Sequence, residues 1–213
     1  MIALPATASA GSNCKSIWNK ATGKIEKVAG PVAKLVCAGI AVETPATARQ
    51  CLDLVEKTSK EVDKIVKSWN EDGDSWNIGP RPLPHDRYQT GAVSTERQFV
   101  GQPVLGDTYS LTIERTGGKA KKGLVVKVCM VDENGYDVKY KSFTLSKDGP
   151  RKKTVTFRGV AGTYPLIHLN NQRWGTNAHK YTIKGGESGE APNVAKAREI
   201  LAATRSVTTK TRK

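Results

Sequence analysis

YSLTIERTGGKAKKGLVVKVCMV, residues 109–131, decides the fold. Tyr109, Leu111 and Ile113 alternate with Ser110, Thr112 and Glu114, the period-two pattern of a strand with one buried face. Gly117-Gly118 opens a turn, and Leu124 to Val131 is then apolar on nearly both faces, as in a central strand. Downstream, Asn134-Gly135 is a hairpin signal and Asp148-Gly149-Pro150 another turn. Val138 and Tyr140 share one face while Phe143 and Leu145 fall on the other, a change of phase that predicts a β-bulge near Lys141-Ser142. Val155 and Phe157, then Tyr164 to Asn170, then Tyr181 and Ile183 supply further strands, and Glu96–Val100 an earlier one. About seven short antiparallel strands predict a β-sandwich, jelly-roll-like, over residues 96–184.

The turns differ in charge. The first is basic (Arg115, Lys119, Lys121, Lys122), the second acidic (Asp132, Glu133, Asp137) and the third basic (Lys147, Arg151, Lys152, Lys153). A later amide-rich loop, Asn170 to Asn177, displays Arg173 and Trp174, residue types that stack on sugars or bases and bind phosphates; Trp174 folding back to cap the sandwich is the alternative. Successive antiparallel strands reverse direction, so alternate turns emerge at one end. The candidate binding residues are therefore Lys119, Lys121, Lys122, Lys147, Arg151, Lys152, Lys153, Arg173 and Trp174.

The whole chain of 213 residues carries a formal net charge of +14, and residues 96–184 hold 16 of its 34 Lys and Arg against 7 of its 20 Asp and Glu. Such a region favours polyanions: an anionic glycan, an anionic membrane surface or nucleic acid. The apolar fraction of 38% is too high for a wholly disordered chain.

Residues 13–70 read as a helical unit, a hairpin or small bundle. Ile17, Trp18, Ala21, Ile25 and Val28 recur at helical spacing until Gly30-Pro31, which is expected to end the run; a second apolar segment follows from Pro31 to Val42. Thr44 is the predicted N-cap of the next helix, with Pro45 at its first position and a stripe from Ala48 through Cys51, Leu52, Val55 and Thr58 to Trp69. Cys37 and Cys51 lie seven residues either side of Thr44, where a helical hairpin brings equidistant residues together; they form a disulfide or remain two buried thiols. Cys14 is left without a partner or pairs with Cys129.

Residues 1–12 form a small-residue leader, either a truncated export signal or a plain disordered start. Residues 71–95 are a Pro/Gly-rich strap, extended at Pro80, Pro82 and Pro84; Asn70, Asp72 and Asp74 there lack the Gly and Glu of a calcium loop. Residues 185–213 give a flexible link, a short helix over Pro192–Thr204 and a basic tail. The fold class is thus α+β.

No metal-ligand spacing, catalytic motif or cofactor loop stands out, and His168 with His179, on strands predicted to be neighbours, lacks a third ligand. No run is long enough for a transmembrane helix. The predicted function is a non-enzymatic, secreted binding protein for an anionic surface. Alternatives are a membrane-acting toxin or effector that uses the N-terminal helices, and an intracellular, cytoplasmic nucleic-acid-binding protein.

Overall fold

The computed structural model describes residues 13–71, 80–83, 85–120, 122–172 and 177–210. Three helices, α1 (Lys15–Leu35), α2 (Pro45–Glu71) and α3 (Pro192–Lys210), accompany nine strands. The strands are β1 (Arg81–Leu83), β2 (Gln89–Val93), β3 (Glu96–Gly101), β4 (Thr108–Gly118), β5 (Leu124–Val131), β6 (Asp137–Leu145), β7 (Lys152–Arg158), β8 (Tyr164–Asn171) and β9 (His179–Ser188).

One sheet has the order β1-β3-β8-β5-β6 and the other β2-β9-β4-β7. Apart from the β5–β6 hairpin, the chain changes sheet at each step. Four strands facing four in these orders is the jelly-roll arrangement, with β1 added parallel to β3 at one edge. Leu111, Ile113, Leu124, Val126, Val128, Phe157, Leu169 and Ile183 fill the space between the sheets. Two-sided burial of β5 has separate causes: its second face, Cys129 and Val131, lies under α1.

Helix α1 departs from expectation. It runs through Pro31 to Leu35 because its buried stripe, Ile17, Ala21, Ile25, Val28 and Val32, continues past the proline; packing against Val100, Tyr164 and Leu166 offsets the lost backbone hydrogen bond. No separate helix starts at Pro31. The Thr44 cap is as predicted: its Oγ1 accepts from the Thr47 N–H at 3.2 Å. A third apolar cluster joins Val36, Val42, Ala48 and Cys51 to Ala191, Val194 and Ala197 of α3, so the helical group is built from both ends of the chain. Two disulfides form, Cys37–Cys51 and Cys14–Cys129, the second tying the start of α1 to the middle of β5.

Further readings change: β9 runs on through Ser188 and α3 to Lys210, where a flexible link and a helix ending at Thr204 are expected from the sequence. Residues 89–93, assigned to the strap, pair with β9 as strand β2. The β5–β6 register is unbroken through Lys141 and shifts only at Val138, the extra residue between the pairs Met130↔Lys139 and Val131↔Asp137. The apparent phase change arises because β6 is an edge strand: Val138 and Tyr140 are 44% and 38% exposed, while Phe143 and Leu145 turn to the core. His168 and His179 lie in different sheets, each with its own partner. The candidate calcium residues Asp72 and Asp74, Pro84 of the strap and the leader lie outside the described residues, as does the environment of the Asn70 side chain.

Candidate polyanion interface at one end of the sandwich

Strand register fixes which turns share an end. Gly118 pairs with His179, Leu124 with both Leu145 and Asn171, and Glu114 with Lys152. The strand ends at Gly118, Leu124, Leu145, Lys152, Asn171 and His179 therefore lie together. The acidic turn lies at the opposite end, where Val131 pairs with Asp137 and Tyr164. Two of its carboxylates are engaged: Asp132 Oδ1 accepts from the Asn134 and Tyr136 N–H groups at 2.9 Å each, and Asp137 Oδ2 from Asn13 N and Nδ2. Trp18 of α1 lies over Gly135 in the same turn.

At the basic end Lys119, Lys122, Lys147, Arg151, Lys152 and Lys153 are all exposed. They are not equivalent. Arg151 Nε donates to the Lys147 carbonyl at 3.4 Å, bracing its own turn, and Lys152 Nζ is 3.9 Å from Glu114. Lys153 reaches across to Phe143 of the other sheet, 5.0 Å from the ring centre. Lys121, Arg173 and Trp174 lie outside the described residues.

Arg115 has a role that its charge alone does not reveal. It continues the inward parity of Tyr109, Leu111 and Ile113, and is 5% exposed. Its Nε donates to His179 Nδ1 at 2.9 Å, and Nη2 donates to the carbonyls of Gly118 and Ala120 at 3.2 and 3.3 Å. A buried guanidinium with these neutral acceptors clamps the backbone from which Lys119 and Lys122 project. It also adds positive potential beneath them, where water screens it poorly. The inward parity was the signal for this role.

Because His179 Nδ1 accepts, the neutral ring carries its proton on Nε2. Burial and then the Arg115 charge hold His179 below its ordinary value of 6.5. The folded state thus resists a proton that the unfolded chain takes up, so stability is full above pH 6.5 and falls as pH drops from there toward the depressed value. His179→Gln should flatten that limb of a denaturation-versus-pH curve; an unaltered acid limb would show that His179 is not the group responsible.

Beside the basic loops, a polar recess of about 470 Å³ is lined by Thr95, Glu96, Asn170, Asn171 and Gln172. Asn171, buried, donates through Nδ2 to the carbonyls of Ser94 and Asn177 at 2.7 and 2.9 Å, joining two loops of this end. Below it, Glu96 Oε2 is 3.0 Å from His168 Nε2. Among the described residues no cluster of three or more His, Cys, Asp or Glu is arranged to hold a metal, and no helix is long and apolar enough to cross a membrane.

No family model matches the chain, and no curated protein matches it. Among solved structures, the pre-peptidase C-terminal domain of collagenase from Bacillus anthracis overlaps 51% of this chain and 98% of its own, at 9% identity and a TM-score of 0.37. The BiXyn10A CBM1 structure overlaps 40% and 55%, at 14% identity and a TM-score of 0.29. TmCBM61, in complex with beta-1,4-galactotriose, overlaps 49% and 67%, at 11% identity and a TM-score of 0.29. Likeness at this level transfers no property of those proteins to this chain.

Proposed function

We propose that this chain is a non-enzymatic binding protein whose sandwich presents its cationic end to an anionic polymer or surface, in an exported setting. The observation that carries the reading is the register that gathers the loops bearing Lys119, Lys122, Lys147 and Arg151 at one end, above the buried Arg115. Convergent cations attract a polyanion through release of its counterions, and that attraction weakens with salt. Four cysteines in two disulfides support an oxidising compartment. Among the alternatives, membrane insertion by α1 has less support, because its apolar stripe is already buried on the sheet and its start is crosslinked there.

The test is retention on immobilised heparin. The variant Lys119→Glu/Lys122→Glu/Lys147→Glu should elute at markedly lower salt, with affinity down about 100-fold at low ionic strength and a shallower salt dependence. Retention equal to that of the parent protein would sink the reading.

A further inference from the structure

The two sheets meet at an open edge, where β6 and β7 face each other without pairing. Each strand sends one lysine across. Lys141 of β6 lies 5.0 Å from the ring centre of Phe157 on β7, and Lys153 of β7 lies 5.0 Å from that of Phe143 on β6. Lys141 Nζ also donates to the Thr156 carbonyl at 2.8 Å, occupying a backbone acceptor that an edge strand would otherwise offer to another chain. Between these crossed lysines runs an open cleft of about 580 Å³, within the range of small-ligand sites, also lined by Ser142, Thr154 and Thr156.

We infer that this cleft is a subsite for an acidic saccharide, sulfated or carboxylated, continuous with the basic end. The inference rests on the polyanion reading above and narrows it to one ligand class. Both lysines are exposed, and one Lys141 N–H is spent on Thr156, which leaves donors for a sulfate or carboxylate. Thr154 and Thr156 turn their hydroxyls to the outer face of the sheet, where they bond Thr112 and Ser110 at 2.8 and 3.0 Å, so the two lysines supply the polar contacts of the cleft. Nucleic acid fits less well: Phe157 is buried and Phe143 half-buried, each beneath a lysine, so neither offers a free face for a base to stack on. The nearby carboxylates do not oppose the assignment. Glu114 pairs with Lys152, Asp137 is held by Asn13, and Asp148 sits in the connecting turn among Lys147 and Arg151.

The probe is a fully sulfated heparin hexasaccharide, titrated by calorimetry into the intact protein. Lys141→Met/Lys153→Met keeps the aliphatic stems over the rings and removes both charges; affinity should fall at least about tenfold. Chemical shifts in the ¹⁵N-labelled parent protein, which need no variant to fold, should move at residues 141–143 and 153–156. Unchanged affinity together with silent amides there overturns the subsite. If only the loop variant at Lys119, Lys122 and Lys147 loses binding, the basic end stands and the cleft falls. If neither variant loses it, both fall. A single-stranded DNA of matched charge that binds as tightly as the hexasaccharide, with the same shifts, overturns the choice of a saccharide.

Discussion

Removing the crosslink between α1 and β5, as Cys14→Ala/Cys129→Ala, is expected to lower the melting temperature by about 10 °C or more. The bond joins residues 115 apart, so in the chain-entropy view it restrains the unfolded chain by about 4.8 kcal/mol. For a chain of this size each kcal/mol shifts the midpoint by about 2–4 °C. Both cysteines are buried, so alanine leaves small voids but no unpaired polar group. The companion variant Cys37→Ala/Cys51→Ala opens a bond spanning only 14 residues and should cost less, about 3 kcal/mol. Scanning calorimetry of the two variants side by side decides the matter. If the first melts within a few degrees of the parent, α1 is held on the sheet by packing alone.

Gly118→Ala should be about as damaging and more local. The residue adopts a φ of +107°, outside the left-handed well that other residues can visit at modest cost. A methyl group there would run into the carbonyl of Ala178 and the Cα of His179, which are backbone and cannot swing aside. The same turn offers its Gly118 and Ala120 carbonyls to Arg115, so displacement breaks the clamp as well. A loss of about 3 kcal/mol or more is expected in urea denaturation, together with weaker heparin retention. Gly39→Ala is the fitting comparison: φ is also positive, at 77°, but nothing lies within 4 Å of the added carbon, so a cost of about 1–2 kcal/mol should follow. Equal costs at the two positions would mean that close packing at Gly118 contributes nothing.

Much of the sandwich was legible because strand parity is a local property. Tyr109, Leu111 and Ile113 predict their own burial, and the direction of successive strands follows from counting turns, so the shared end of the basic loops could be read in advance. Thr44-Pro45 likewise announced a helix start through side-chain chemistry contained in a few residues. What stayed hidden depends on partners distant in the chain. Nothing in Gly30-Pro31 says that Tyr164 and Leu166 will hold α1 together beyond it. Val138 and Tyr140 suggest a bulge near Lys141 because the sequence does not say that β6 lies at an edge, where apolar residues can face solvent. Strand β2 is short and follows a proline-rich strap, and only its pairing with β9 makes it part of a sheet. Of the candidate site, the cationic loops were visible as composition. The inward positions of Arg115 and Lys141 were available in parity but were masked by their charge.

The helical cluster ties residues near the start of the chain to residues near its end: Val36, Val42, Ala48 and Cys51 share one buried core with Ala191, Val194 and Ala197. Neither α2 nor α3 leaves it without baring the apolar stripe of the other. The two should therefore open as one unit, their amides exchanging with solvent at matching rates while those of β4, β5 and β8 stay protected.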